Sequence, residues 1–363
     1  MRFQSGSAVS PKSLREIPQN GFPGVKVLVV GDLMLDQYVE GDVHRISPEA
    51  PVPVLSVRKR RFVPGGAANV ALNVLGLHAE ALVAGVIGAD PAGKLLVDLL
   101  TESRADMHGI ITAPSRPTTS KTRVVSGNHQ IVRLDEETSE PLDEHLEREL
   151  SDRVIACLDQ GDINAVVLSD YGKGVLSGAC PQILIEECKR RGTPVLVDPK
   201  RSDYSAYKGA TCVTPNQKEF FAAVAAMGIC PGDINFAGSI LRERLECTAL
   251  LVTQGSDGMT LLTTGQGQHL PALTEEVFDV SGAGDTVIAT HGVALGLGLT
   301  FQCAVELANA AASIVVRRVG TTPVAWRDLS ELLAIDSVLP STEESESRRE
   351  ALSFDIDVDS RVI

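Results

Sequence analysis

The chain is poor in aromatic residues, in cysteine and in positive charge, and it has no long apolar run. Of its 363 residues, 4% are aromatic. No apolar stretch reaches the roughly 20 residues that a membrane-spanning helix needs, since the longest candidate, residues 287–299, contains His291 and several glycines. The amino terminus lacks the apolar centre of a signal peptide. We therefore expect a soluble, cytoplasmic protein with no membrane partner.

The seven cysteines are scattered, and the closest pair, Cys180 and Cys188, does not have the spacing of a metal site. Neither a disulfide framework nor a zinc site is expected, and reduced, partly buried thiols are the prediction. The 33 Lys and Arg residues are outnumbered by 47 Asp and Glu residues, which gives a net charge of −14. Because chains that bind nucleic acid usually have a basic balance, nucleic acid is not expected as a partner.

Predicted strands and helices alternate along the chain. A buried strand over residues 25–30 and a helix over residues 67–77 begin a series of such pairs. This order predicts an α/β protein with a mostly parallel central sheet that is covered by helices on both faces. We expect a flexible leader over residues 1–24 and an acidic, disordered tail over residues 337–363, which leaves one domain over residues 25–336.

Two β-rich segments, residues 38–62 and 116–134, interrupt the alternation and are locally basic. The second segment contains Arg116, Lys121 and Arg123 but no carboxylate. Lys and Arg side chains can protect exposed strand edges from pairing with other chains. They can also line a lid that receives an anionic substrate. Charge alone leaves both interpretations open.

The strongest candidate site is the segment Asp279–Thr286, which directly precedes a long apolar helix. The small residues Gly282, Ala283 and Gly284 let the backbone approach a ligand closely, and their N–H groups are the unpaired donors of a helix N-terminus, which form an anion site. A carboxylate at Asp285 could accept the proton of a substrate hydroxyl. The alternative is an ordinary helix start, whose first turn favours an acidic residue. The sequence contains neither a P-loop nor a dinucleotide fingerprint.

Asn216 and Glu219 form a second candidate site at a predicted strand-to-helix junction. Their spacing of three would let both side chains reach one hydrated Mg²⁺ and the phosphates that it carries. The same spacing is typical of a capping box, with Asn as the cap and Glu as the third helical residue. By itself the pattern favours the capping box.

Weaker candidates lie elsewhere in the predicted domain. Pro64–Asn69 begins a predicted helix with small residues, against whose backbone a sugar could lie, and Asp36 follows the first strand, at the usual ligand edge of a parallel sheet. The glycine-rich turn that includes Thr253 and Gly255 could pass beside a nucleotide, as could the small-residue helix around Asn309. Ordinary turns and close helix packing explain each of these patterns as well.

Taken together and in this order, the motifs resemble those of the ribokinase-like (PfkB) sugar kinases. They are Gly-Gly-x-x-Asn at residues 65–69, Asn-x-x-Glu at 216–219 and Asp-x-x-Gly-Ala-Gly-Asp at 279–285. The resemblance covers about residues 25–336 and implies a three-layer α/β domain with a small β-sheet lid. Ala67 stands where ribokinases have lysine, which speaks against plain ribose as the substrate.

A closer resemblance is to the bacterial heptose 7-phosphate kinases of lipopolysaccharide core synthesis. The segments that carry it are Gly31–Tyr38, Arg45–Val54, Lys121–Arg123, Gln130–Asp135, Ser169–Gly174 and Val197–Lys200. It implies ATP-dependent phosphorylation of the anomeric hydroxyl of D-glycero-D-manno-heptose 7-phosphate to the 1,7-bisphosphate. Several of these kinases also carry a nucleotidyltransferase domain with an H-x-G-H motif. That motif is absent here, so we expect the kinase-only form and a separate adenylyltransferase downstream.

The resemblance also implies roles for the candidate residues. Asp285 would be the catalytic base, with an anion hole formed by Gly282, Ala283 and Gly284. The residues implied for ATP are Asn216 and Glu219, which would organise Mg²⁺ through water, and Thr253, Gly255 and Asn309, which would lie along the nucleotide. The residues implied for the sugar are Asp36, Gly65, Gly66 and Asn69, and we add Arg123, Lys173 and Lys200 as candidates for its phosphate.

A monovalent cation could bind near Asp279, and a homodimer that meets through the lids is expected. Two other functions remain open. The first is another sugar or sugar-phosphate kinase of the same fold, against which the basic lid and residues 45–54 speak. The second is a non-catalytic nucleotide or sugar sensor, against which Asp285 and the complete anion-hole sequence speak.

Overall fold

Two β-sheets organise the chain in the computed structural model, which describes residues 17–338 apart from positions 128, 231, 266, 275 and 319. The strands are β1 (Lys26–Gly31), β2 (Leu33–Ile46), β3 (Pro53–Gly66), β4 (Glu80–Ile87), β5 (Asp106–Thr112), β6 (Thr119–Ser126), β7 (His129–Glu136), β8 (Ala165–Ser169), β9 (Val195–Asp198), β10 (Cys212–Val213), β11 (Ala249–Thr253), β12 (Met259–Leu262) and β13 (Gln268–Leu270). The α-helices are α1 (Ala67–Gly76), α2 (Pro91–Glu102), α3 (Glu144–Asp159), α4 (Cys180–Arg191), α5 (Gln217–Ala226), α6 (Ile234–Arg244), α7 (Ala283–Gly296), α8 (Phe301–Val315) and α9 (Trp326–Val338).

The large sheet has nine strands in the order β13-β12-β11-β10-β9-β8-β1-β4-β5. Pairing is parallel from β11 to β5 and antiparallel where β12 and β13 extend one edge. The central strand β1 is a continuous apolar run, as expected for a strand that is buried on both faces. Its residues Val27 and Val29 pack into one hydrophobic cluster, and Leu28 and Val30 pack into the other.

Helices cover both faces of this sheet. Residues of α1, α2, α7, α8 and α9 share one hydrophobic cluster, and residues of α3, α4, α5 and α6 share the other. The predicted α/β class, with a mostly parallel sheet between two helical layers, is therefore confirmed. No helix in the described part of the chain combines the length and the apolar character that crossing a membrane requires.

The small sheet, formed by β2, β3, β6 and β7, corresponds to the two predicted β-rich segments, and we call it the lid. Its order is β3-β2-β6-β7, with β2 and β6 parallel and the other two pairs antiparallel. Asp36 pairs in register with Lys121, and Tyr38 pairs with Arg123. Because side chains alternate along a strand, this register places Lys121 and Arg123 on the same face of β6.

Some elements differ from the sequence prediction. The strands β5 and β13 and the helices α6 and α9 were not predicted, because their apolar residues are few or irregularly spaced. The leader prediction is wrong for its last residues: Phe22 is fully buried and packs edge-on against Trp326 of α9 at 5.6 Å between ring centroids. The rest of the predicted leader, residues 1–16, and the predicted tail beyond residue 338 lie outside the described residues.

Candidate active site

The candidate residues from the sequence meet at the carboxyl edge of the large sheet. Asp32 follows β1, Asp170 follows β8, and Asp198 is the last residue of β9. The lid rises from the same edge, since β2 begins at Leu33, two residues after β1 ends. Because parallel strands present their carboxyl ends on one side, this edge is where ligands bind in open α/β sheets.

Asp285 lies in the first turn of α7 and is 4% exposed. Its Oδ2 accepts a hydrogen bond from Asn69 Nδ2 of α1, and its Oδ1 accepts one from the hydroxyl of Tyr171, both at 2.6 Å. The pKa of Asp285 is raised to about 6, because burial and, to a smaller extent, the charge of Asp36 raise it more than the two hydrogen bonds lower it. A carboxyl group with this pKa is suited to act as a base near neutral pH.

The start of α7 has an unusual backbone geometry. Gly282 precedes the helix with a φ of 77°, in the left-handed region, and no side chain caps the helix. A Cβ atom at Gly282 would lie 2.9 Å from Asn69 Nδ2, whereas one at Gly284 would meet no atom within 4 Å. The N–H of Ala283 donates to the carbonyl of Val280 at 3.2 Å. The open side of this helix start is therefore at Gly284 and the residue that follows it.

Tyr171 is a site residue that the sequence analysis did not assign. Its loop is held by the buried carboxylate of Asp32, which accepts backbone hydrogen bonds from Tyr171, Lys173 and Val175 at 2.8, 3.1 and 3.2 Å. The Ser169–Gly174 segment was noticed for its resemblance to heptose 7-phosphate kinases, but only Lys173 was given a role. Tyr171 lies two residues after the central parallel strand β8, at the ligand edge of the sheet, but no local sequence pattern distinguishes it there.

The glycines before α1 allow close approach of the backbone to Asp36. A Cβ atom at Gly65 would lie 2.6 Å from Asp36 Oδ2. Gly66 precedes α1 with a φ of 56°, and Asn69 lies in the first turn of that helix. The structure thus brings together Asp36, Gly65, Gly66 and Asn69 on the side of Asp285 that faces the lid.

Each basic candidate forms an ion pair with a carboxylate. Arg123 Nη1 donates to Asp36 Oδ1 at 2.6 Å, and Lys173 Nζ donates to Glu137 Oε1 at 2.6 Å. Glu137 follows β7 and was not identified from the sequence. Lys200 pairs with a third carboxylate, that of Glu219.

Asn216 and Glu219 form the capping box that their spacing favoured. The N–H of Glu219 donates to Asn216 Oδ1 at 2.9 Å, and Glu219 Oε2 accepts from the N–H of Asn216 at 3.1 Å. Glu219 Oε1 accepts from Lys200 Nζ at 3.0 Å. These hard oxygen atoms suit Mg²⁺, which usually keeps several waters and binds through one or two carboxylates and substrate phosphates. The capping interaction and a water-mediated metal contact are therefore compatible.

A shallow cavity of about 420 Å³ lies beside this capping box. It is lined by Asn216, Gln217, Lys218, Phe221, Thr253, Gln254 and Gly255. Three of the five nucleotide candidates therefore share one cavity. Asn309 lies in a different hollow, where its Nδ2 donates to the carbonyl of Pro271 at 2.8 Å.

Asp279 joins two segments near the start of α7. Its Oδ1 accepts from the N–H of Ser281 at 2.8 Å, and its Oδ2 accepts from the N–H of Gly320 at 2.9 Å. Both oxygen atoms are thus engaged with the backbone. A monovalent cation near Asp279 stays a prediction.

The fold and this site define a class of protein. The pfkB family of carbohydrate kinases matches residues 25–327, and the chain belongs to this family. It is therefore a sugar kinase, which confirms the enzyme prediction. A kinase of this type uses ATP and a divalent metal ion.

Two named relatives and one solved structure are similar to this chain. The chain is 45% identical over 86% of its length to "Bifunctional protein HldE" of Methylobacillus flagellatus and spans 64% of that protein. It is 45% identical over 83% of its length to the protein of the same name from Geobacter sulfurreducens and spans 61% of it. Phosphofructokinase-2 from Escherichia coli, solved in complex with potassium, shares the fold at 21% identity and a TM-score of 0.68, covering 86% of this chain and 99% of its own.

Alanine substitutions at two glycines test the start of α7. Gly282 has a left-handed backbone that alanine disfavours, whereas Gly284 has free space for a methyl group. Gly282→Ala should lower the free energy of unfolding by about 1–2 kcal/mol, because alanine is strained in the left-handed region. Gly284→Ala should leave it unchanged or raise it by up to about 1 kcal/mol, since alanine favours the helix. Urea unfolding of both variants measures the difference, and equal destabilisation would contradict this account of the helix start.

Proposed function

We propose that the protein transfers the γ-phosphoryl group of ATP to the anomeric O1 of D-glycero-D-manno-heptose 7-phosphate. The similarity to HldE proteins supports this substrate. The single observation that carries the proposal is that one edge of the sheet holds both a buried carboxylate, Asp285, and basic side chains from the lid and the adjoining loop. A sugar that bears a phosphate at the end remote from its reacting hydroxyl fits such an arrangement.

In this proposal Asp285 is the catalytic base. It accepts the proton of the 1-hydroxyl as the bond from O1 to the γ-phosphorus forms and the bond to the β-phosphate oxygen breaks, so ADP leaves with the electron pair. Phosphoryl transfer depends on alignment and charge stabilisation. Asn69 and Tyr171 hold the two carboxylate oxygens, which orients the base before the sugar arrives.

Charge on the transferred group would be stabilised by the backbone at Gly282, Ala283 and Gly284, because N–H donors of a helix start favour anions. The N–H of Ala283 would have to leave the carbonyl of Val280 to take part. Asn216 and Glu219 would hold Mg²⁺ through water, and this ion would neutralise charge on the ATP phosphates. The contact of Lys200 with Glu219 supports the proposal that Lys200 approaches ATP and not the sugar. Thr253 and Gly255 would lie along the nucleotide, with Asn309 at its far end.

The sugar would lie between α1 and the lid. Asp36 and Asn69 offer an acceptor and a donor to its hydroxyls, and Gly65 and Gly66 leave room for its ring against the backbone. Lys173 is proposed as a source of positive charge for the 7-phosphate. Arg123, the other residue suggested by the sequence, is bonded to Asp36 and would lie nearer the ring hydroxyls. An adenylyltransferase activity would act later on the product.

We also propose that the protein is a homodimer that meets through the lids. The lid exposes several large apolar side chains, which are Ile46, Val57, Ile131, Val132 and Leu134. Val132 and Leu134 share one face of β7, opposite Arg133. Exposed apolar patches of this kind are typical of interaction surfaces.

An ADP-release assay over a panel of sugars tests the substrate. We expect heptose 7-phosphate to give a kcat/KM at least about 10²-fold above fructose 6-phosphate, ribose and unphosphorylated heptose, as the loss of two charged hydrogen bonds implies. A preference for any other sugar or sugar phosphate would contradict the proposed substrate while leaving the kinase activity itself in place.

Asp285→Asn tests the base, because it keeps the size of the side chain and removes its ability to accept a proton. We expect turnover to fall at least about 10²-fold while ATP binding, measured by calorimetry, changes little. Asp152→Asn is the matched control, since Asp152 is exposed on α3, a helix that packs on the opposite face of the large sheet from α7. Turnover of the Asp285 variant within a few-fold of the parent would show that this residue only starts the helix.

Tyr171→Phe tests how the base is tuned. The hydrogen bond from Tyr171 lowers the pKa of Asp285, against the effects of burial and of Asp36; Asp198 also faces the pair. Removing the bond should raise this pKa, so activity that requires the ionised carboxylate should be lost at a higher pH as the solution is acidified. We expect the acid limb of the kcat/KM profile to move up by as much as about one pH unit.

Tyr204→Phe is the matched control for this experiment, because the buried Tyr204 hydroxyl has no hydrogen-bond partner among the described residues. Its acid limb should coincide with that of the parent. An unshifted profile for Tyr171→Phe would mean that the tyrosine does not tune the base.

A further inference from the structure

Three charged side chains converge where the lid joins the body of the protein. Glu137 Oε1 accepts from Lys173 Nζ at 2.6 Å, and Glu137 Oε2 accepts from Lys121 Nζ at 3.0 Å. Lys121 belongs to lid strand β6, whereas Lys173 belongs to the loop that carries Tyr171. The side chains of both lysines are less than one-fifth exposed, and that of Glu137 is one-quarter exposed. One carboxylate thus joins two largely buried ammonium groups from different parts of the fold.

This arrangement has the geometry of an anion site that already holds an anion. Each oxygen of the Glu137 carboxylate faces a separate ammonium group, as two oxygens of a phosphate group would. Two partly buried cations need a negative partner, because an uncompensated buried charge is costly. Burial raises the pKa of Glu137, but the hydrogen bonds from Lys173 and Lys121 outweigh this effect and lower it, so the group stays ionised.

Arg123 is committed to a different partner. Its guanidinium bonds to Asp36 and lies over the ring of Tyr38, 5.3 Å from the centroid. Asp36 in turn lies close enough to Asp285 to raise the pKa of the base. Arg123 therefore belongs to the end of the site where the reacting hydroxyl is expected.

The lysine pair lies beside this end but bonds to Glu137 and not to Asp36. Lys173 is two residues from Tyr171, which bonds to Asp285, so the two Cα atoms are at most about 7 Å apart. Lys121 is two residues before Arg123 on the same face of β6. A heptose carries its 1-hydroxyl and its 7-phosphate at opposite ends. The base would receive the hydroxyl, and the nearby lysine pair would receive the phosphate. Lys121 also lies 3.8 Å from Asp135, which leaves Glu137 as its closer partner.

We propose that Lys121 and Lys173 form the subsite for the substrate's 7-phosphate and that Glu137 occupies this subsite until the phosphate displaces it. The inference rests on the proposed function, since it names the residues that receive the remote phosphate. Glu137 directly follows β7, the edge strand of the lid, and its side chain is one-quarter exposed, so solvent is open to its carboxylate on displacement. A neutral sugar offers no charge to replace it, and Glu137 therefore makes the enzyme selective for phosphorylated sugars.

The test uses Glu137→Gln, which keeps the size of the side chain and removes the competing charge. The KM for heptose 7-phosphate should fall about three- to tenfold, the range expected for losing competition from partly exposed ion pairs. The KM for unphosphorylated heptose should stay within about twofold. Glu149→Gln is the matched control, because Glu149 forms an ion pair with Arg153 on α3, and it should change neither value.

Lysine variants give the opposite result if the subsite is correct. Lys121→Ala and Lys173→Ala should each raise the KM for heptose 7-phosphate about tenfold or more, with a much smaller change for the unphosphorylated sugar. Equal effects of Glu137→Gln on both sugars would overturn the proposal, because Glu137 would then act only to fasten the lid to the body.

Calorimetry with inorganic phosphate separates this inference from the proposed substrate. Phosphate should bind more tightly to Glu137→Gln than to the parent protein and more weakly to both lysine variants. If that order holds while heptose 7-phosphate is not phosphorylated, the subsite stands and the substrate is a different sugar phosphate. If heptose 7-phosphate is the substrate but phosphate binds Glu137→Gln no better than the parent, the subsite proposal fails alone.

Discussion

The buried carboxylate of Asp285 is the group on which the rest of the site depends. It cannot be left in a dry environment without partners, because a buried charge without hydrogen bonds is costly. Asn69 and Tyr171 supply those partners from two separate parts of the chain. Helices α1 and α7 and the loop after β8 must therefore meet at one point, and the left-handed turn at Gly282 keeps that point open.

The loop after β8 is positioned by a second buried carboxylate. Asp32 is 1% exposed and receives three backbone N–H groups from this loop. Because Asp32 follows β1 and the lid begins at the next residue, one short stretch of chain fixes both the loop and the base of the lid. The central strand thus controls the geometry of parts that are more than a hundred residues apart in sequence.

Each of the three basic candidates near the site is balanced by a carboxylate. Arg123, Lys173 and Lys200 each face a carboxylate, respectively Asp36, Glu137 and Glu219. The sequence allows two interpretations of the basic lid segments, protection of strand edges and binding of an anionic substrate. The fold adds a third fact, which is that these basic side chains form ion pairs within the protein. The positive side chains near the site are paired with acids from distant elements, and a phosphate ligand must compete with those acids.

The sequence alone was sufficient for the sheet, most of its helices and the existence of a lid. The apolar run of β1 indicates a strand that is buried on both faces. The small residues before α7 indicate a helix start whose backbone a ligand can approach. The spacing of Asn216 and Glu219 likewise predicted the capping box that is observed. Short or irregular elements such as β5 and α6 were missed because their pattern is weak without their neighbours.

What only the tertiary structure decided is which side chains face one another across long distances in sequence. Tyr171 and Glu137 carry no local pattern that marks them, since a tyrosine after a strand and a glutamate after a lid strand are common. Their roles arise from the hydrogen bond to Asp285 and from the two lysines that converge on one carboxylate. Local propensity and hydrophobic spacing determine elements, whereas the partners of a buried charge depend on how those elements pack, and that is settled by the fold as a whole.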